Sequence, residues 1–197
     1  MNQKGSIDFV IKCYPTCEEF PKGGILGNYI LTKNVGDKVT MEGPLGRITY
    51  KGNFMFHPRG KPARRATKLG LIPGGSGITP LYSVLNSIYK AREEGISVKM
   101  LYSNKTVDDV LCKELLDQIH QDETASNISV AHTLTRHEGD PPAGFLKGRV
   151  NIEMLQSLGF PEPSEETLIM ICGPAAFNKH VKELLTAAGY ADDMIFG

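Results

Sequence analysis

The sequence predicts an α/β protein with a doubly wound parallel sheet of five strands, preceded by part of an antiparallel β-barrel. From Lys68 onward, short apolar runs alternate with segments of helical periodicity, which is typical of a parallel sheet covered by helices on both faces. Residues 5 to 56 contain short β-type segments separated by turn residues. We therefore expect two domains, a partial β-barrel at residues 1–62 and an α/β domain at residues 63–197.

The elements of the second domain are expected where the apolar periodicity changes. Helices are indicated by apolar residues at i, i+3, i+4 and i+7, and strands by short continuous apolar runs. The expected strands are Leu69–Ile72, Val98–Tyr102, Ile128–Leu134, Thr167–Ile171 and Met194–Phe196. The expected helices are Pro80–Glu94, Val107–Gln121, Ile152–Leu158 and Ala175–Ala188, and Thr106 with Asp109 forms an expected capping box before the second of them.

The first domain is expected to contain three strands, Ile7–Lys12, Lys38–Glu42 and Arg47–Lys51. A short helix is expected within Gly23–Thr32, and its two leading glycines are compatible with an anion site or with a simple capped connector. Three strands and one helix do not close a barrel or cover both sheet edges. His57–Thr67, rich in Pro and Arg, is expected to be a linker between the domains.

The most informative stretch is Lys68–Pro80, KLGLIPGGSGITP, which predicts a strand, a glycine turn and a helix. Thr79 is suited to the N-cap of that helix and Pro80 to its first turn. Free N–H groups at a helix start favour an anionic group such as a pyrophosphate. A side chain at Gly77 is expected to block that group while leaving the fold intact. Because Pro80 stands where the dinucleotide fingerprint has its last glycine, a purely structural glycine turn is the alternative interpretation.

A second turn of the same kind follows the apolar run Thr167–Cys172. Gly173 and Pro174 lead from it into a helix with Phe177 on its apolar stripe. In open α/β sheets, ligands bind in a crevice at the carboxyl ends of the strands. We therefore expect the two turns to face one crevice.

At these two turns the chain resembles the ferredoxin reductase superfamily, and most closely NADH-cytochrome b5 reductases and the flavin domain of nitrate reductases. The resemblance lies in GGSGITP at residues 74–80, NKT at residues 104–106 and CGPAAF at residues 172–177. IDFVIKCY, GGILGNY and EGPLG upstream are similar to the later part of the family's flavin barrel. The resemblance implies that residues 1–62 are part of an FAD-binding β-barrel domain and that residues 63–197 are an NAD(P)-binding domain. It implies an FAD-dependent enzyme that passes electrons from NADH to a haem protein such as cytochrome b5.

The resemblance also implies which residues hold the cofactors. Cys172 is expected beside the nicotinamide, and Thr79 is expected to reach the flavin from the nucleotide loop. In hydride transfer the reactive atoms belong to the cofactors, so the protein chiefly orients them and excludes water. The remaining implied cofactor-binding residues are Val10, Lys12, Tyr14, Gly24, Ile25, Leu26, Gly27, Gly75, Ser76, Gly77, Pro80, Asn104, Thr135, Arg136, Arg149, Gly173, Pro174 and Phe177.

Two departures from the family concern the flavin. The R-x-Y-[ST] motif that holds the flavin in the family occurs nowhere in this sequence, and Gly27 stands where the family usually has serine. The sequence is therefore expected to be a fragment, a mis-started gene model or a relative without ordinary flavin binding. Two alternative functions follow, a flavin-free NAD(P)-binding module and the reductase domain of a multidomain enzyme such as nitrate reductase.

Another departure concerns the choice between NADH and NADPH. The family places Asp where this chain has Thr135, and an acid there repels a 2′-phosphate on the adenosine ribose. Arg136 follows directly, and Arg149 replaces an aromatic residue of close relatives. NADPH is therefore expected to be tolerated, unless both arginines point to solvent.

Overall charge does not indicate nucleic acid, because 22 Lys and Arg balance 22 Asp and Glu. Between Gly43 and Arg92, however, there is no acidic residue and there are nine basic ones. Such a field of one sign favours an acidic partner, here an acidic face of a haem protein, although a solvated basic linker is the alternative. The basic residues are Arg47, Lys51, Arg59, Lys61, Arg64, Arg65, Lys68, Lys90 and Arg92.

Cys13, Cys17, Cys112 and Cys172 are too few for a disulfide framework, which favours a reducing compartment. They also lack a second pair or nearby histidine that would complete a metal site, so we expect no metal. The sequence contains no apolar run of membrane-spanning length and no signal-peptide pattern. We expect a monomer on the cytoplasmic side, either soluble or anchored to the endoplasmic reticulum or outer mitochondrial membrane by a preceding segment.

Overall fold

The structure is a computed structural model and describes residues 5–18, 21–43 and 45–197. The chain separates into two compact units, Met1–Leu45 and Gly46–Gly197. The expected boundary between residues 62 and 63 lies within the second of these units. The division into functional domains at residues 1–62 and 63–197 stays a prediction.

Among its described residues, the first unit contains one short helix, α1, at Ile25–Leu31, which confirms the helix expected within Gly23–Thr32. Strands were expected at Ile7–Lys12 and Lys38–Glu42, and this is wrong for the described residues, since both segments lack strand pairing. Alternating residues predict a strand only if a neighbouring strand supplies the hydrogen bonds. Ile7 is instead 78% exposed.

A small antiparallel sheet opens the second unit, with strands β1 at Ile48–Tyr50, β2 at Met55–Pro58 and β3 at Arg64–Arg65 in that order. The strand expected at Arg47–Lys51 is thereby confirmed. The linker expected at His57–Thr67 is wrong in part, because the end of β2 and all of β3 lie in it. The hydrogen bonds that order this polar stretch come from strand neighbours, which local composition does not reveal.

The second sheet is parallel and has six strands among the described residues, one more than expected. The additional strand has three residues, lies between Gly144 and Gly148, and is too short to show apolar periodicity. The strands are β4 at Lys68–Pro73, β5 at Ser97–Asn104, β6 at Ile128–Leu134, β7 at Phe145–Lys147, β8 at Thr167–Cys172 and β9 at Ile195–Phe196.

The order of these strands, β7-β6-β5-β4-β8-β9, places the change of winding direction between β4 and β8. The two strands are parallel, and their register pairs Lys68 with Thr167 and Pro73 with Cys172. Their carboxyl ends therefore lie side by side. In doubly wound sheets this switch point is where ligands bind.

Helices cover both faces of the parallel sheet, as expected for a doubly wound fold. The helices α2 at Ile78–Ala91 and α3 at Lys113–Gln121 pack on one face, in a core that includes Leu85, Leu116 and Met100. The helices α4 at Ile152–Ser157 and α5 at Ala175–Ala187 pack on the other, in a core that includes Leu155 and Val181. Phe56 of the small sheet belongs to the first core.

The helix expected over Val107–Gln121 is divided. The expected capping box of Thr106 and Asp109 is present, but it begins a short 3-10 turn at Val107–Asp109. Cys112 then adopts a left-handed conformation, with φ of 57°, immediately before α3. A non-glycine residue in this conformation cannot continue a right-handed helix, so α3 begins only at Lys113.

Among the described residues, no helix is long and apolar enough to cross a membrane, and no cluster of side chains suits a metal ion. The four cysteines are free thiols.

Candidate functional site

The glycine turn after β4 lies directly against the end of β8. The N–H of Gly74 donates to the carbonyl oxygen of Cys172 at 2.7 Å. Gly77 is buried, and a Cβ atom there would lie 1.9 Å from the same carbonyl oxygen. The two turns that the sequence singled out are therefore packed together. The expectation that a side chain at Gly77 leaves the fold intact is wrong, because that position has no space even for a methyl group.

The ring of Phe177 fills the space beside the two turns. A Cβ on Gly74 would lie 2.9 Å from this ring, and a Cβ on Gly173 would lie 2.6 Å from it. Both glycines are thus needed for close packing of the second turn on the first.

Gly75 is the part of the turn that faces open space. Its φ is +54°, which favours glycine, and an added Cβ would have no atom within 4 Å. The turn continues as a 3-10 segment at Gly75–Gly77, and α2 follows it. The helices α2 and α5 begin directly after the two glycine turns, and neither has an acidic residue in its first turn. The positive ends of their dipoles therefore face an anionic ligand at these turns without a carboxylate that would repel it.

Thr79 is not the N-cap that the sequence suggested. The N-cap of α2 is Gly77, and Thr79 lies within the first helical turn with its hydroxyl donating to the carbonyl of Ser76 at 3.2 Å. The 3-10 segment advances the helix start by two residues, and sequence spacing alone does not show this. Pro80 lies in the first turn as expected, where its missing N–H leaves no bond unmade.

Cys172 ends β8 beside the glycine turn. Burial raises the pKa of its thiol above the ordinary value, so the side chain is neutral at physiological pH. A neutral, polarisable group at this place permits close approach of an aromatic ring without adding a charge. Its role at the nicotinamide stays a prediction.

Tyr102 is a residue of this site that the sequence reasoning missed. It lies in β5 with no exposed surface, and its hydroxyl donates to the carbonyl of Gly75 at 2.8 Å. The same hydroxyl accepts the N–H of Leu111 at 3.3 Å. Burial raises the pKa of this hydroxyl, which therefore stays protonated. The available signal was a tyrosine at the end of an apolar strand, because a buried hydroxyl needs a partner.

Asn104, the last residue of β5, lies beside Tyr102 and is buried. Its backbone carbonyl accepts both the N–H of Thr135 at 2.9 Å and the Thr135 hydroxyl at 3.2 Å. Neither polar atom of the Asn104 side chain makes a well-formed hydrogen bond with the described residues, although the amide lies near enough to the Tyr102 hydroxyl to favour its ionised form.

The structure brings Thr135, Arg136 and Arg149 to the same end of the sheet. Leu134 pairs with Lys147 in the β6–β7 ladder, and the N–H of Gly148 donates to the Leu134 carbonyl at 2.8 Å, so Arg149 follows next to Thr135. All three side chains are exposed. The backbone N–H of Arg136 also donates to the carbonyl of Lys105 at 2.9 Å, which adds a third basic residue that the sequence analysis did not include.

The other predicted cofactor residues lie in the first compact unit. The N–H of Gly24, the N-cap of α1, donates to the carbonyl of Tyr14 at 2.9 Å. Gly27 packs on Cys13, since a Cβ on Gly27 would lie 2.9 Å from the Cys13 Cα atom. A serine at residue 27 would therefore require this contact to open.

The predicted flavin residues in this unit have accessible apolar surface. Ile25 is 84% exposed and Leu26 is 62% exposed. Val10 and Tyr14 are partly exposed, and the ammonium group of Lys12 lies 5.5 Å from the centre of the Tyr14 ring. Their predicted contacts with FAD stay predictions.

Several residues of the basic stretch lie in or next to the small sheet. Arg65 pairs with Met55, on the face opposite to the packed rings of Tyr50 and Phe56. Lys51 and Arg59 directly follow β1 and β2, and the Arg47 guanidinium donates to the carbonyl of Gly197 at 3.1 Å. Within the described part of the chain, three cations of this stretch pair with distant acids, which weakens the positive field that composition alone suggested. These pairs are Arg64 with Asp193, Arg65 with Glu166 and Arg92 with Asp122.

A cavity of about 500 Å³ lies elsewhere, next to the amino end of β8. Its wall includes Leu168, Phe196 and Arg64, and the Arg64 guanidinium donates to the carbonyl of Thr167 at 2.9 Å. This cavity is distant from the glycine turns, because Thr167 and Cys172 lie at opposite ends of the six-residue strand β8. We do not assign the nucleotide to it.

Two family models match the chain. The model described as "Oxidoreductase NAD-binding domain" matches residues 71–183, and the one described as "Oxidoreductase FAD-binding domain" matches residues 1–50. The first contains both glycine turns and the carboxyl ends of β4 to β8. The second contains α1 and the segment that holds Tyr14.

Among known proteins, the chain is 30% identical to NADH-cytochrome b5 reductase 2 of Rattus norvegicus, covering 99% of this chain and 72% of that protein. It is 34% identical to NADH-cytochrome b5 reductase 1 of Bos taurus, covering 87% of this chain and 57% of that protein. It is also 30% identical to the nitrate reductase [NADH] of Volvox carteri, covering 97% of this chain and 22% of that protein. The chain thus spans about half or less of the length of these last two relatives.

Among solved structures, the fold is similar to the cytochrome b5 reductase domain of Ulva prolifera nitrate reductase. The TM-score is 0.85 at 23% identity, and the match covers 95% of this chain and 71% of that one. This agreement confirms the ferredoxin reductase-like fold.

Proposed function

Because the chain belongs to the family of FAD- and NAD-binding oxidoreductases that includes NADH-cytochrome b5 reductases and nitrate reductases, we propose that it transfers electrons from NADH through FAD to a haem protein. The observation that carries this proposal is the contact between two glycine turns at the switch point of the sheet, beside two helix starts. This arrangement suits a dinucleotide pyrophosphate and has no need of a nucleophile, a paired carboxylate or a metal.

We assign the pyrophosphate of NADH to the turn of Gly75, Ser76 and Gly77, with Gly173 and Pro174 as the opposite wall. When bound, the flavin would accept a hydride from the nicotinamide and release electrons singly. The chain's own contribution is to hold the nicotinamide against the end of β8, where Cys172 adds bulk without charge, and to exclude water. Thr79 would approach the flavin from the first turn of α2.

The purified polypeptide is expected to bind FAD weakly, because the R-x-Y-[ST] motif that holds the flavin in the family is absent from this sequence. The measurement is the flavin absorbance of the purified protein, followed by NADH-dependent reduction of ferricyanide with and without added FAD. Turnover that appears only with added FAD would support the proposed function. A stoichiometric yellow protein would contradict the expectation of weak binding.

The missing motif also favours a second candidate, a flavin-free NAD(P)-binding module. The same assay separates the two, because such a module binds NADH in calorimetric titration and stays inactive towards ferricyanide even with saturating FAD. Turnover with added FAD would also be expected of the reductase domain of a multidomain enzyme, since that domain would carry out the same electron transfer from NADH through FAD.

We also propose that the partner is a haem protein with an acidic face, such as a cytochrome b5-like domain. The support is the stretch from Gly43 to Arg92, which contains no acidic residue and places Lys51 and Arg59 at the ends of β1 and β2. Charge complementarity of this kind accelerates encounter at low salt. We propose a monomeric enzyme on the cytoplasmic side, which the four free thiols support.

NADPH is expected to bind within about tenfold of NADH, a difference of about 1.4 kcal/mol. No carboxylate occupies residue 135, while Arg136, Arg149 and Lys105 lie near the strand end where the adenosine ribose is proposed to bind. A charge-assisted hydrogen bond to the 2′-phosphate would contribute roughly 1.5 to 3 kcal/mol. Titration with both nucleotides at low and moderate salt measures the ratio.

Thr135→Asp is expected to weaken NADPH binding selectively, because the charge of the carboxylate repels the 2′-phosphate, which NADH lacks. Thr135→Asn is the matched neutral control and should retain NADPH binding. If the unmodified chain already discriminates against NADPH by a hundredfold, the ribose does not bind at Thr135.

A further inference from the structure

Tyr102 connects the glycine turn with the segment that follows β5. Its ring is wholly buried in β5, and its hydroxyl both donates to the Gly75 carbonyl and accepts the N–H of Leu111. Gly75 belongs to the glycine turn, whereas Leu111 belongs to the connection between β5 and α3. The hydroxyl thus donates one hydrogen bond and accepts another.

The orientation of the Gly75 carbonyl matters for an anionic ligand. A peptide carbonyl oxygen carries partial negative charge, and a pyrophosphate bound against the turn would be repelled by it. Gly75 has a positive φ and open space around it. Because glycine has no side chain, its backbone adopts other angles at little cost, and the peptide group between Gly75 and Ser76 is free to rotate. Within the turn, this carbonyl accepts the N–H of Ile78. The Tyr102 hydroxyl supplies a second donor from outside the turn, which further restrains the carbonyl on the side away from the ligand.

We propose that Tyr102 is a positioning residue for the nucleotide: its hydroxyl holds the Gly75 carbonyl towards β5 and thereby keeps the anion-binding side of the turn free of carbonyl oxygen. This inference rests on the proposed nucleotide site. According to this inference, Tyr102 increases the affinity for the pyrophosphate although it lies in the core and does not contact the ligand.

The competing explanation is that the hydrogen bond merely satisfies a buried hydroxyl. Tyr190 provides the matched case, because it is also buried and its hydroxyl donates to the carbonyl of Pro161 at 2.7 Å, before the amino end of β8. Tyr102→Phe and Tyr190→Phe each remove one tyrosine-to-carbonyl hydrogen bond. Only the first lies beneath the glycine turn.

The experiment is calorimetric titration of the full chain with NADH, well below the melting temperature of each variant. Tyr102→Phe should weaken binding about tenfold, the equivalent of one hydrogen bond, while Tyr190→Phe should change it less than about twofold. Equal affinity of Tyr102→Phe and the unmodified chain would overturn the inference and leave the nucleotide site standing. Equal losses in both variants would overturn it as well, since they indicate general loosening.

A double-mutant cycle with Gly75→Ala tests whether Tyr102 acts through the turn. The losses in NADH affinity should be clearly non-additive for Tyr102→Phe with Gly75→Ala and additive for Tyr190→Phe with Gly75→Ala. Additivity in both pairs would contradict the proposed route. If the unmodified chain fails to bind NADH at all, the proposed nucleotide site is wrong and this inference fails with it.

Discussion

Gly77→Val is expected to unfold the second compact unit or to lower its free energy of unfolding by at least about 3 kcal/mol, at the upper limit of ordinary overpacking. The Cβ atom would lie 1.9 Å from the Cys172 carbonyl oxygen and 2.8 Å from the Gly173 nitrogen. These are backbone atoms, so no change of side-chain rotamer relieves the contact. Chemical denaturation followed by circular dichroism measures the loss, and NADH binding should disappear with the fold.

Gly75→Ala is the matched control, because it lies in the same turn but its Cβ meets no atom within 4 Å. It should keep the fold at a cost of about 1 kcal/mol for alanine in a left-handed conformation. Beyond this small loss of stability, its effect should appear in NADH affinity. A stable, well-folded Gly77→Val protein would show that the two turns are not packed as described.

His132 is expected to make the protein lose stability as the pH falls from about 6.5 to 4. Burial lowers the pKa of this side chain to about 4 in the folded state, with the nearby cation Lys113 acting in the same direction and Asp117 opposing it. The unfolded chain, with a histidine pKa near 6.5, binds the proton first. Uptake of this proton by the unfolded chain lowers the free energy of unfolding below pH 6.5. Relative to neutral pH, the loss is about 2 kcal/mol at pH 5 and about 3 kcal/mol at pH 4.

The measurement is the free energy of unfolding in denaturant between pH 4 and pH 8, compared with His132→Phe. The variant keeps a ring between Tyr102 and Phe145, whose centroids lie 5.8 Å and 5.0 Å from that of His132, but it cannot take up a proton. Carboxylates contribute equally to both curves, so their difference isolates His132. Parallel curves would show that His132 is not buried as a neutral group.

Much of the nucleotide half of the site could be predicted from local sequence. The apolar run of β4, the glycines after it and the periodicity of α2 are encoded within two dozen residues, and so are β8 and α5. Such signals are local because strands, turns and helices depend on neighbouring residues. The capping box at Thr106 was found for the same reason.

The first half was predicted less well. Segments such as Ile7–Lys12 show strand-like alternation, but in the described structure they have no strand partner. The three-residue strand β7 was missed because its pairing with β6, rather than its composition, makes it a strand. Strand formation depends on hydrogen bonds between distant segments, so alternation alone neither ensures nor excludes it.

The sequence by itself determined the doubly wound fold class, the two glycine turns and the family to which the chain belongs. Only the tertiary structure decided why Gly77 must be glycine, which residue holds the Gly75 carbonyl and which arginines are already paired. Each of these depends on contacts between distant residues, Gly77 with Cys172, Gly75 with Tyr102 and Arg64 with Asp193. Local patterns cannot show such contacts, because folding alone brings the two partners within a few ångströms of one another.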